Sequence, residues 1–246
     1  MTAGPDAAVA LRPRTATEIL DAGIHLARQH YGIFVVTAAI PLVAYVAADL
    51  WFSAHPSNGM GPSVLSVLVT AAFASLADAA VAAGAAEAYR GMTPHAGRAV
   101  ALAFRRWWPV IVTGLYRVIF VTLGLVVFIA PGLFVFAIYS LIPILPVLEP
   151  DLGAGAALRR SRMLTKGFRW RALGVHVLPY AIAVILNMTL SSSLSHRTAT
   201  GRLVSGVTGS LIAILLTPLI VCIQTVFYFD LRIQREGYDL EAAIGS

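Results

Sequence analysis

This sequence has very little with which to build a soluble, cross-linked or metal-held domain. Of its 246 residues one is cysteine, and only 12% are charged, against roughly a quarter in an ordinary globular domain. The single Cys222 excludes an internal disulfide and a cysteine-rich metal site. Its place within an apolar run reads as a small packed hydrophobe. Lysine is almost absent too: Lys166 stands against seventeen arginines. The chain has no glycine-rich phosphate loop, no G-x-S-x-G elbow and no H-E-x-x-H pair, so the common local signatures of phosphoryl transfer, acyl transfer and zinc hydrolysis are missing. His25, His30 and His95 lack metal-site spacing. No metal, no cofactor and no enzymatic activity are expected.

Apolar residues are what the chain has. They make up 58% of it, the mean hydropathy is +0.79, and several runs reach the roughly 18 to 20 residues a helix needs to cross hydrocarbon. The net charge of +6 sits in short segments beside those runs and not on one soluble face. That excludes nucleic acid as the counter-charge and points to anionic lipid headgroups. The expected fold is all-α: a polytopic membrane bundle of about six transmembrane helices with amphipathic interfacial helices on the cytoplasmic side. It forms a single domain over residues 15–241, between a flexible N-terminal tail, 1–14, and a C-terminal tail, 242–246.

Taken in order, Thr15-Ala16-Thr17-Glu18 has the form of a capping box and starts a helix. Leu20, Ile24, Ala27 and Tyr31 recur at helical spacing, as in a helix lying in the interface plane. The first span covers 31–52 with Pro41 inside. Ala44-Tyr45-Val46-Ala47 matches a cleavage pattern, but the long polar lead-in is no secretory n-region, so an uncleaved span is expected. The second span, 62–88, has a centre of alanine, serine and glycine and should pack inside the bundle, because small residues let helix backbones approach. Thr93-Pro94 caps another amphipathic helix, and Trp107-Trp108 mark an interface.

The third span runs to residue 130, and Pro131-Gly132 turns the chain into a fourth over 133–148 that holds Pro143 and Pro146; each proline removes a helical donor and should kink or loosen it. The fifth and sixth spans cover 172–190 and 203–228. A basic, amphipathic lead-in followed by two spans thus recurs three times, from Thr15, Thr93 and Leu152. With six spans, fifteen basic residues fall on the side of both termini and only Arg197 and Arg202 on the other. The positive-inside rule makes that basic side cytoplasmic, in the plasma membrane.

Two places could carry chemistry. Asp78 and Arg117 lie deep in spans two and three at similar depth, where an unpaired charge is costly, so a neutralising pair is expected. It either fixes the packing of the two spans or lines a polar pathway. In span five, His176 is expected to bond backbone or solvent, and Asn187 to bond across helices. The second place is the stretch 146–171, which crowds Arg159, Arg160, Arg162, Lys166, Arg169 and Arg171 between two spans. It is first a topology determinant, and beyond that a contact for anionic lipid or for a protein partner. Glu149 and Asp151 suit the positive end of the next helix, Gly167 suits a left-handed closing turn, and the acidic residues of the last segment, Asp230, Glu236, Asp239 and Glu241, are expected to reach these arginines.

Three features together resemble the membrane domain associated with glycerophosphoryl diester phosphodiesterases and its stand-alone bacterial relatives. They are Pro131-Gly132-Leu133; Pro146-Val147-Leu148-Glu149 with Ala157-Leu158-Arg159-Arg160-Ser161 and Leu164-Thr165-Lys166-Gly167; and Tyr228-Phe229-Asp230-Leu231-Arg232 with Glu236-Gly237-Tyr238-Asp239-Leu240. In the fused enzymes catalysis resides in a separate soluble barrel. The resemblance therefore implies a multi-span plasma-membrane module and no catalytic site. The expected function is a scaffold or partner module for a membrane-associated process; the alternative is a small transporter or channel component that uses Asp78 and Arg117.

Overall fold

The computed structural model describes residues 14–54, 60–127, 129–192 and 199–236. The N-terminal tail, parts of the expected outer loops, and Asp239 and Glu241 of the C-terminal segment lie outside these residues. Among the described residues ten helices follow one another: α1 (Ala16–Gln29), α2 (Tyr31–Ala54), α3 (Met60–Tyr89), α4 (Ala96–Arg105), α5 (Trp107–Val127), α6 (Ile129–Ile138), α7 (Leu145–Leu148), α8 (Ala154–Thr165), α9 (Arg169–Ser192) and α10 (Ala199–Glu236). Among the described residues there is no strand. Among the described residues five helices, α2, α3, α5, α9 and α10, are long and apolar enough to cross a membrane. Their outer faces are apolar: Val43 on α2, Leu123 on α5, and Ile185 and Met188 on α9 are all exposed. Such side chains face outward at no cost only where the surroundings are hydrocarbon.

The fourth expected span is not one helix. The ten-residue α6 ends at Ile138, turns occupy 139–144, and α7 adds one four-residue turn. Pro146 sits in the first turn of α7, where its missing N–H is tolerated. Pro131, expected in a turn, instead lies in the first turn of α6. The break is buried from Ser140 to Pro146, and it is closed from α8: Ser161 Oγ donates to the Ile138 carbonyl at 2.6 Å, and Thr165 Oγ1 lies 3.5 Å from the same oxygen. Irregular backbone in an apolar medium is stable only when protein satisfies it in this way.

The six elements α2, α3, α5, α6, α9 and α10 form a closed ring of neighbours, and α3 also touches α10 across it. The alanine-rich α3 is the inner wall, buried without interruption from Ser75 to Glu87. A helix enclosed on every side needs small residues on every side, and that composition lets its neighbours close in.

A short helix precedes each of α2, α5 and α9. The capping box of α1 forms, with Thr15 and Glu18 bonding each other's backbone N–H groups. Its buried face, however, is Ile19, Gly23, Leu26 and Ala27, while Ile24 is exposed. The expected face was rotated because Gly23 has no side chain to count as apolar. Yet Gly23 is where α1 meets α10: a Cβ there would lie 2.6 Å from the Ile223 Cα. The α4 helix is capped at His95 without a side-chain bond, and not by Thr93; Thr93 instead offers its carbonyl to His95 Nδ1 at 2.9 Å. Gly167 closes α8 with φ +87°, as expected of a residue without Cβ.

Candidate functional site

The charges that sequence places deep in two spans meet. Arg117 Nη2 donates to Asp78 Oδ2 at 3.4 Å, and both side chains are largely buried. Small residues make this contact possible. One turn away on each helix, Gly114 of α5 faces Ser75 of α3 so closely that a Cβ on Gly114 would lie 1.7 Å from Ser75 Oγ and 2.6 Å from Ser75 Cβ. The two helices run antiparallel through that point. Asp78 and Arg117 are therefore not level, and their Cα atoms stand about 9 Å apart along the helix axes at 1.5 Å rise per residue. Side chains lean toward the N-terminus of their own helix, so in an antiparallel pair Asp78 and Arg117 lean toward one another. The long guanidinium stem covers the rest.

Gly114→Ala should therefore separate α3 from α5 and weaken the ion pair with them, lowering stability by about 1–3 kcal/mol as overpacking does. Adding Ser75→Gly should recover most of that loss. Thermal unfolding of both variants in detergent checks it, and a double variant no better than the single would contradict this contact.

Two further helices join the pair. Arg117 Nη1 donates to the Tyr180 hydroxyl of α9 at 3.3 Å, and Gln224 Nε2 of α10 donates to the same oxygen at 3.2 Å. The Tyr180 ring stands edge-on to Phe136 of α6, with centroids 5.0 Å apart. One polar cluster thus ties α3, α5, α9 and α10. His176, one turn before Tyr180, is buried; its Nδ1 bonds the Ala172 carbonyl at 2.9 Å and its ring stands edge-on to Phe227. Among the described residues, His176 Nε2 and Gln224 Oε1 have no hydrogen-bond partner. Asn187 lies against α10, its Nδ2 3.0 Å from where a Gly209 Cβ would be. Two grooves of about 300 Å³ each flank Tyr180: one, among α2, α9 and α10, carries Tyr45, Asn187 and Thr217 among apolar residues, and the other, among α5, α6 and α9, is almost wholly apolar; neither is lined by Asp78 or Arg117.

The six basic residues of 159–171 do not act as one group. Arg160 and Arg171 turn inward. Arg160 Nε donates to both oxygens of Glu149 at 3.0 and 2.9 Å, while its Nη atoms grip Glu236 at the end of α10. Glu149 also accepts from the Tyr228 hydroxyl at 2.8 Å, and Glu236 from Arg232 Nε at 2.9 Å. Partial burial works to lower the Arg160 pKa, but the hydrogen bonds and charges of Glu236 and Glu149 outweigh it and hold the guanidinium above its ordinary value. Glu149 therefore serves Arg160, and α8 begins at a Gly153 cap instead.

Arg171 pairs with Asp230, which also accepts from the Arg14 backbone N–H at 3.2 Å and from Gln234 Nε2 at 2.6 Å. Tyr89 at the end of α3 stacks on Phe229, with centroids 4.5 Å apart. The ends of α3 and α10, the starts of α1 and α9, and α8 are thus clasped at one pole of the bundle. Arg159, Arg162, Lys166 and Arg169 are left over. They are exposed, and among the described residues no carboxylate lies within ion-pair range of any of them.

Sequence reasoning missed Tyr180 and Gln224. Gln224, a lone amide in the run Leu219–Phe229, was the available signal. Among the described residues no group of His, Cys, Asp and Glu could hold a metal ion. Residues 96–233, more than half the chain, match the family model described as Domain of unknown function (DUF8558). No curated protein and no solved structure matches the chain.

Proposed function

Since the chain belongs to the DUF8558 family, a family whose function is unknown, we propose a role from its geometry: a non-enzymatic integral membrane scaffold that presents its basic pole to a partner. The observation that carries this reading is the closed polar centre. Arg117 donates to Asp78 and to Tyr180, and neither of the two grooves beside Tyr180 is lined by the ion pair. Such a centre holds helices together; a pathway would need the charges to line it. The likeness to phosphodiesterase-associated membrane domains agrees with this, since there too the membrane part is separate from catalysis.

In this proposal the chain crosses the plasma membrane six times, with both termini cytoplasmic and α1, α4 and α8 at the interface. Support for a sixth crossing comes from the path of the chain. The 21-residue α5 starts beside α4 at the basic pole and leads away from it, and Glu149 is back at that pole beside Arg160. The broken α6–α7 segment makes the return. A reporter fused after Gly61 should then read as external and one after Gly167 as cytoplasmic; the reverse would overturn the orientation.

The alternative, a small transporter or channel component using Asp78 and Arg117, has one observation in its favour: Tyr180, a partner of Arg117, lines both grooves. Reconstituted liposomes separate the two. The scaffold predicts no ion flux above protein-free vesicles and a protein partner cross-linked through the α8 surface in cells. Flux without such a partner would sink the scaffold.

A further inference from the structure

The leftover cations at the basic pole are not scattered. Arg159, Arg162, Lys166 and Arg169 line, with Met163, one shallow cup of about 360 Å³. The two arginines of this stretch that do have carboxylate partners turn away from it, Arg160 toward Glu149 and Glu236 and Arg171 toward Asp230. Four positive charges sharing one cup repel each other, and no ion pair among the described residues explains why they are gathered. Apolar side chains flank them: Met163 is 59% exposed and Trp170 is 74% exposed. An exposed tryptophan beside cations at the end of a crossing helix is the arrangement of a headgroup-level anchor.

The same helix continues the site inward. Trp170, Val177, Ala181 and Val184 fall at intervals of seven, four and three residues, which places them on one face of α9. Val177, Ala181 and Val184, with Tyr180, are the α9 side of the groove completed by Val121, Leu133 and Phe136, whose lining is almost wholly apolar. Trp170 itself meets Phe134 of α6 edge-on at 5.1 Å. The groove therefore runs from about 10 to about 21 Å along α9 from Trp170, at 1.5 Å per residue. That is acyl-chain depth below a headgroup.

We infer that this face is a binding site for one anionic phospholipid, its phosphate held by Arg159, Arg162, Lys166 and Arg169 and one acyl chain laid along α9 into the groove. Guanidinium groups suit the phosphate because they offer paired donors to its oxygens. The zwitterionic headgroup of a phosphatidylcholine brings its own cation into the cup and loses that advantage. The site rests on the reading of this chain as a membrane protein and makes the basic pole a lipid-holding surface.

Native mass spectrometry of the full chain in mild detergent tests it, with phosphatidylglycerol and phosphatidylcholine of identical chains added in turn. The wild type should retain one phosphatidylglycerol at least tenfold more tightly than phosphatidylcholine. Exchanging all four cations for glutamine should abolish that preference, and these exposed changes leave the Arg160 and Arg171 pairs intact. Ala181→Phe, which fills the groove, should weaken retention of both lipids at least threefold while the preference persists. Equal retention of the two lipids by the wild type, a preference that survives the fourfold exchange, or retention unaffected by Ala181→Phe would each overturn the site. Because the measurement is made in detergent it does not depend on orientation, so a reversed reporter result would defeat the topology and leave the lipid preference standing.

Discussion

Arg117→Leu should nearly abolish folded protein, because it strands the Asp78 carboxylate in the middle of the bundle. Removing one member of a buried pair costs on the order of 3 to 5 kcal/mol, a large part of a typical total stability. Asp78→Leu should cost a similar amount by stranding the guanidinium, though Tyr180 remains as a partner for Arg117. The informative variant is the double one. With leucine at both positions no charge is buried alone, and replacing a whole buried pair by apolar side chains is often neutral or better. Tyr180 would still have Gln224. Folded yield and thermal midpoint in detergent should therefore fall steeply in each single variant and recover in the double. The exchange Asp78→Arg with Arg117→Asp should also fold, since the antiparallel lean of the two side chains is symmetric. An exchange as damaged as the single variants would mean that the pairing is not what holds these helices.

The second large effect is at the basic pole. Arg160→Ala removes a side chain that bonds directly to both Glu149, after α7, and Glu236, at the end of α10. The two carboxylates are not left bare, because Tyr228 stays with Glu149 and Arg232 with Glu236. The cost should lie between that of a surface and a buried pair, about 2 to 3 kcal/mol. Arg160→Lys should recover only part of it, since a lysine cannot donate in a fork to two carboxylates at once. Limited proteolysis in the turn between α8 and α9 reads this out: fast cleavage in the alanine variant, intermediate in the lysine variant, slow in the wild type. Equal rates in all three would show that Arg160 is not the clasp.

Much of this was legible in the sequence, and the residues show why. Asp78 and Arg117 could be found because charge is rare inside apolar runs. Asp230 and Glu236 do meet the arginines of 159–171, as their signs suggest. What sequence could not give was the division of labour among those arginines. Arg159 and Arg160 are neighbours on one short helix, yet they point to opposite fates because 100° of rotation separates them. Gly23 misled the reading of α1 because a residue with no side chain can be the point of closest packing. Pro143 and Pro146 did announce a break in the expected fourth span, but not that Ser161 and Thr165 would cap its broken end from another helix.

On the proposed scaffold reading, the polar cluster between α3, α5, α9 and α10 is dry and holds the helices together. Gln224 sits in it, buried, with an oxygen that finds no donor among the described residues, so a smaller side chain there should be tolerated. A chain carrying Gln224→Cys and Cys222→Ser presents one thiol at this position. In sealed vesicles a membrane-impermeant thiol reagent added to either side should leave that cysteine unmodified, and it should react only after denaturation. Rapid modification from one side in the folded protein would mean that water reaches Tyr180 and Arg117, and would contradict the account.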